Sequence, residues 1–211
     1  MSDNSWNGNE RNRLLVNMGN TADRAETGFV EAAAPYGLDS LGDGRGLGIA
    51  DFDGDGDQDL VINNYVSKAQ YFVNQVADGH WLQVRLQGRE SNRDGVGAIV
   101  RVETDDGGRH QMRVVTAGDG YASQYSRVVH FGLGGDEEID RLEVTWPLGR
   151  TQEFRNVAAD RLIEIDEMID SVRVIRGPRS TPRLERVEPP GTVCKTPLPG
   201  RTKSRDEDAA P

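Results

Sequence analysis

The chain of 211 residues predicts an all-β protein. Three observations carry that prediction. Apolar side chains recur with period two in short runs between residues 80 and 167. Turn-forming residues break those runs at about every eight to twelve positions. Glycine is abundant at 25 residues while aromatics make up only 6%, which suits many short strands joined by tight turns. At 36% hydrophobic the chain can bury a core, and its length allows one sizeable domain or two small ones.

The elements follow in order. Residues 1–12 are polar, carry Trp6, and are expected to form a flexible, exposed lead-in. "RLLVNMG", 13–19, is a short strand. "GFVEAAAPYGL", 28–38, is a second strand, with "EAAA" as a competing helical turn. "LGDGRGLG" is a Gly-rich turn region, after which "GIADF" and "DLVINN" flank an acidic loop as strand–loop–strand.

From Gly79 the alternation is clear. Leu82, Val84 and Leu86 oppose Gln83, Arg85 and Gln87. Ala98, Val100 and Val102 share one face, and "DDGG" then turns the chain into "RHQMRVV" as a hairpin. Val129, Phe131 and Leu133 follow, then Leu142, Val144 and Trp146 up to Pro147, then "TQEFRNV" and "RLIEIDE". About seven strands at this spacing predict a small β-sandwich or barrel. "VRVI" is a possible last strand. The rest is rich in proline and charge and poor in core formers, as expected of a disordered tail. The boundaries expected are 1–12, 13–78, 79–168 and 169–211.

The net charge of −10 repels phosphate backbones, so nucleic acid is not an expected partner. No stretch is long and apolar enough for a membrane span, and no signal peptide is visible in "MSDNSWNGNERNRLLVN". Cys194 is the single cysteine and leaves the redox compartment open.

The acidic loop asks for an explanation. "IADFDGDGDQDLVI" places Asp51, Asp53, Asp55, Asp57 and Asp59 on alternating positions, where carboxylates repel one another. An acidic loop is most often a solvated turn. Here the D-x-D-x-D-G-x-x-D spacing, the sharp turn available at Gly56 and the anchoring strands argue for a ligand set. Ca²⁺ takes several oxygens at about 2.3–2.6 Å, whereas Mg²⁺ demands a tighter octahedron. Asp51, Asp53 and Asp55 offer side-chain oxygens, Asp57 its backbone carbonyl in preference to its side chain, and Asp59 closes the site. An EF-hand is set aside, because its twelfth position is Ile62 in a β-like run.

The segment from "GLGIADFDGDGDQDLVINN" into "YVSKAQYFVN" resembles the FG-GAP or VCBS-type repeat of integrin α-chain propellers. The resemblance implies a partial propeller blade whose loop holds Ca²⁺. Further on, His80-Trp81-Leu82, Ser91-Asn92-Arg93, Gly97-Ala98, Gly118-x-Gly120-Tyr121-x-Ser123-Gln124, His130-Phe131-Gly132-Leu133-Gly134 and Trp146-Pro147-x-Gly149 resemble the ASPIC/UnbV domain. Together the resemblances cover about 11–167 and imply an acidic extracellular or cell-envelope protein. The sequence departs from the pattern in carrying one complete loop and no visible leader, which points to part of a longer chain, a truncated product or a short form. A lone blade must pack onto the β-domain or leave an association-prone edge.

Other constellations are weaker. His80, His110 and His130 suit structural hydrogen bonds better than a zinc site, and the serines lack a G-x-S-x-G elbow. Trp81 and Trp146 are expected in the core. "AGDGYASQ" reads as a structured hairpin loop with Tyr121 covering the core edge, or as a ligand loop. Candidate contact residues are Arg93, Asp119, Tyr121, Ser123 and Gln124, with Arg93 able to pair with a nearby carboxylate.

The expectation is a calcium-binding, non-enzymatic adhesion or binding protein with an unidentified protein or glycan partner. The alternatives are a carbohydrate-binding accessory module and a calcium-stabilised hydrolase using Asp119 with Asp94.

Overall fold

The computed structural model describes residues 10–18, 28–75, 79–104 and 108–177. Trp6, Cys194 and most of the expected lead-in and tail lie outside them. The described strands are β1 (Leu15–Asn17), β2 (Phe29–Glu31), β3 (Gly44–Ala50), β4 (Asp59–Asn64), β5 (Gln70–Phe72), β6 (His80–Gln87), β7 (Ile99–Thr104), β8 (Arg109–Val114), β9 (Val129–Gly134), β10 (Glu138–Thr145), β11 (Thr151–Ala158), β12 (Arg161–Asp166) and β13 (Val172–Arg176). No helix occurs among the described residues.

The described residues divide into two units, one within 11–40 and the other within 41–177. The first pairs β1 with β2 antiparallel, with Leu15 opposite Glu31. Arg11 and Asp39 form an exposed ion pair, and "EAAA" leads into a turn rather than a helix.

The second unit contains three sheets. Strands run β11-β10-β7-β8 and β13-β12-β6-β9 in two four-stranded sheets, and β3-β4-β5 in a third. The two larger sheets enclose one apolar core, so the region is a sandwich and no sheet closes into a barrel. All neighbours pair antiparallel except β6 and β12, which are parallel.

Period-two alternation builds this core directly. Leu82, Val84, Val100, Phe131, Leu142 and Val144 are completely buried, while the alternate side chains of their strands point to the opposite face. Trp146 joins the core and satisfies its indole N–H by donating to Gln152 Oε1 at 2.7 Å. On the outer face of the other sheet, Arg141 binds Glu103, Glu143 and Glu153, joining three neighbouring strands.

Two details differ from the alternation pattern. Strand β13 pairs with β12 and carries the sheet past residue 168. Trp81 is buried but stays out of the sandwich core, because it occupies the outward phase of β6 and is covered there by another element.

A buried carboxylate, unmarked in the sequence, ties the sandwich together. Glu167 is 0% exposed. Its Oε2 accepts from the backbone N–H groups of Arg89, Glu90 and Ser91 at 2.6, 2.8 and 2.8 Å, and its Oε1 from the Ser91 hydroxyl at 2.6 Å. Burial pushes this carboxyl up, but the four donated bonds outweigh it and hold it below the usual range.

Candidate metal centre

Strands β3 and β4 bracket the acidic loop, and their register pairs Ala50 with Asp59 at its mouth. The chain therefore leaves and re-enters the sheet at adjacent points, and the carboxylates crowd into a short connection. Asp51, Asp53 and Asp55 each place a carboxylate oxygen within 4.8 Å of the others. Two oxygens on one Ca²⁺ at about 2.4 Å can be at most about 4.8 Å apart, so the cluster has the dimensions of a single ion's coordination sphere.

Local bonds shape the loop. Asp53 Oδ1 accepts from the Asp55 N–H at 3.2 Å, and Asp55 Oδ1 from the Asp57 N–H at 3.1 Å. These are Asx-type turns, each carboxylate ordering the backbone two residues on. Burial and the neighbouring Asp55 carboxylate raise the Asp53 carboxyl above its ordinary value.

Asp51 has the most telling surroundings. Its side chain is 3% exposed. Oδ2 accepts from the Gly56 N–H at 3.2 Å, from Gln83 Nε2 at 2.9 Å and from the Arg176 guanidinium. Oδ1 is buried and has no hydrogen-bond partner among the described residues. A buried carboxylate oxygen without a donor is costly, so the donor set fits a cation at this point.

Asp57 and Asp59 are buried but stand outside this three-carboxylate cluster. Asp59 Oδ2 accepts from Phe52 N–H and Tyr71 O–H, both at 3.1 Å, and Oδ1 from Asn74 N–H at 2.8 Å. Asp59 thus clamps the loop start to the segment after β5.

The loop rests on the outer face of the sandwich. The N–H of the His130 Nε2 donates to Gly56 C=O at 2.8 Å, which assigns that tautomer to the ring. Burial holds His130 below its usual value. Gly56 has φ +103°, and a Cβ there would lie 2.0 Å from Trp81 Cε2 and Nε1. Glycine is required twice over, by the left-handed backbone and by the indole beneath. Arg176 lies 5.9 Å from the Trp81 ring and also donates to Gln83 Oε1 at 3.0 Å. Of the two outcomes for a lone blade, the structure takes packing onto the β-domain. Gln83, His130 and Arg176, which form that seat, were not singled out as partners of the loop. Their only sequence signal is a polar residue at the outward phase of a strand.

The remaining candidates do not converge. Arg93 and Gln124 line one open groove of about 700 Å³ beside this face, whereas Asp119, Tyr121 and Ser123 do not line it. Tyr121 is 77% exposed, so it does not cover the core edge; the turn at Gly120 and Ala122, both with positive φ, turns it outward. Arg93 makes no ion pair among the described residues, contrary to expectation, because the neighbouring Asp94 binds Arg127. Asp119 accepts from the Thr116 hydroxyl. His80 bonds Asp160 Oδ2 at 2.8 Å and is raised by that bond, while His110 lies 3.7 Å from Glu103. The histidines thus hold separate structural contacts, and 51, 53 and 55 are the one acidic or histidine trio of metal-binding size among the described residues.

Comparison with known proteins agrees with this architecture. Residues 44–77 match the FG-GAP repeat, and residues 88–172 match the family described as ASPIC and UnbV. The chain is similar to cartilage acidic protein 1 of Homo sapiens, 38% identical over 133 residues, which is 60% of this chain and 20% of that protein. The same protein of Mus musculus is 37% identical over 133 residues, with the same shares. That of Xenopus tropicalis is 39% identical over 128 residues, 58% of this chain and 19% of that protein. The chain spans about a fifth of the length of these relatives. An FG-GAP repeat followed by an ASPIC/UnbV segment is therefore the organisation of this chain.

Proposed function

We propose that this chain is a calcium-stabilised, non-enzymatic binding protein that works outside the cell or in the cell envelope. The buried, unpartnered Asp51 Oδ1 beside Asp53 and Asp55 carries the metal part of this reading. The carboxylates of Asp51, Asp53 and Asp55 hold the ion. The Asp57 backbone carbonyl and Asp59 complete the set, Asp59 while still receiving its three N–H and O–H donors. When bound, Ca²⁺ supplies positive charge that cancels a repulsion of about 3.5 kcal/mol per carboxylate pair at ~4.8 Å near a protein surface.

The ion's effect reaches the sandwich through Asp51. Its Oδ1 is left for the ion, while Oδ2 is held at once by Gly56 of the loop and by Gln83 and Arg176 of the sheet. Filling the site therefore orders the loop and fastens it to the β-domain together. Domain matches and the word cartilage in the relatives' name support an extracellular binding role. Calorimetric titration of chelator-stripped protein with Ca²⁺ tests the metal reading. One-site binding that Asp55→Asn and Asp51→Asn both weaken is expected; a flat titration overturns it.

A further inference from the structure

The open groove beside the loop has an unexpected charge for a chain of net charge −10. Five arginines line it, Arg85, Arg89, Arg93, Arg127 and Arg173, against two acids, Asp94 and Glu164. The strand register explains the arrangement. Glu164 lies directly opposite Arg85 on β6 and Arg173 on β13, forming a row across three strands. Arg85 takes its Oε2 at 2.6 Å and Arg173 its Oε1. Arg89 pairs with Asp166 at 2.7 Å. Arg127 binds Asp94, and it donates to the Gln124 amide oxygen at 3.1 Å when that amide is turned to satisfy both of its ends.

Each carboxylate is thus spent on one or two guanidiniums, and a guanidinium has more N–H donors than such a pairing uses. Arg93 has no hydrogen bond or ion pair at its side chain among the described residues. Its backbone, in contrast, is tightly held. Arg93 C=O accepts from Gly88 N–H at 2.9 Å. Asn92 bridges to Val96 through both ends of its amide, at 2.7 and 2.8 Å. Glu167 captures the three preceding N–H groups of Arg89, Glu90 and Ser91. A stiff loop therefore presents an unneutralised cation at the groove, which lowers the entropic cost of capturing an anion there.

We propose that this groove binds an acidic saccharide, its carboxylate or sulfate groups taken by Arg93 and the adjoining guanidiniums. Planar guanidiniums match such oxyanions with paired hydrogen bonds. Tyr125 and the amides of Gln87 and Gln124 also line the groove, an aromatic face and neutral donors suited to sugar rings and hydroxyls. The groove lies over the face of β6 and β12, both paired on their two sides, so an extended peptide lying in it finds no strand to pair with there; only β13, at its side, is an edge strand. The chain as a whole carries a net charge of −10, which disfavours a long polyanion such as nucleic acid.

The inference rests on the reading of the chain as a binding protein and names its partner's chemistry; it does not require the metal centre. The test is calorimetry of the whole chain with a sulfated glycosaminoglycan oligosaccharide, a carboxylated hyaluronan oligosaccharide and a neutral oligosaccharide of equal length. Titrations in calcium and in chelator separate failure of the groove from failure of the metal site. Binding of at least one acidic probe is expected, weakened by Arg93→Ala at least about fivefold and unchanged by Arg155→Ala, which lies outside the groove. The two acidic probes distinguish sulfate from carboxylate recognition. Equal binding of the neutral probe, equal loss in both variants, or no binding of either acidic probe overturns the proposal.

Discussion

The sandwich and the β3-β4-β5 sheet are both antiparallel at their hairpins, yet they are held by different forces. The sandwich buries a continuous apolar core from both of its sheets. No residue of β3, β4 or β5 belongs to that core, and their apolar side chains are at best partly buried. The small sheet depends instead on the Asp59 clamp, the loop's contacts with Trp81, Gln83, His130 and Arg176, and the carboxylate cluster. One region is stabilised by removing apolar surface from water. The other is stabilised by satisfying charge, and it stays sensitive to what satisfies it.

The largest effect expected from breaking this contrast lies in the sandwich. Phe131→Ala deletes a completely buried ring and should cost about 3–5 kcal/mol in a denaturant melt, with or without calcium. A loss that calcium repairs would mean the two regions are not distinct. Calcium itself should act on the other region. At about a hundred times its Kd it adds ~2.7 kcal/mol, or roughly 5–10 °C in Tm for a chain of this size. Asp51→Asn should abolish most of that rise, and an unmoved melt would show that no ion loads the loop.

Gly56→Ala should follow at about 2 kcal/mol or more, since the new methyl meets the Trp81 indole and the backbone has φ +103°. Differential scanning calorimetry with and without calcium checks it: the substitution should also shrink the calcium response. If both remain as in the parent, the loop does not sit on Trp81 in solution.

Acid sharpens the contrast from the sandwich side. Glu167 is held below its ordinary value in the folded state, so its contribution is full above the unfolded carboxyl value and is lost as pH falls through the lower folded one. Acid melts in calcium should show this loss in the parent and not in Glu167→Gln, which should already be destabilised at neutral pH. The smallest effect belongs to His80. Its value is raised by Asp160, so the added stability is present below the ordinary histidine value and fades as pH rises through the raised one. The pair is partly exposed, so the change should stay under about 1 kcal/mol, and His80→Gln should flatten it.

The sandwich was legible because one period of two decides both strand and buried face. Leu82, Val100, Phe131 and Leu142 needed no knowledge of their partners to be placed inside. The carboxylate spacing was legible for a similar reason: Asp51, Asp53 and Asp55 are near in sequence, so a tight loop must bring them together. Asp59 shows the limit, because its bonds to Tyr71 and Asn74 depend on the return of β5.

What the sequence by itself determined is therefore local: the strands, the face each one buries and the crowding of the acidic loop. Alternation and short loop closure act over a few residues and leave little freedom. Only the tertiary structure decided where outward-facing side chains meet. Gln83 and Arg176 reach Asp51, Glu167 crosses to the N–H groups of residues 89–91, and Arg85, Arg93, Arg127 and Arg173 come to one groove. These contacts join residues far apart in the chain through sheet order and register. A polar residue on the outward phase of a strand reads the same whether it ends in solvent or in a site.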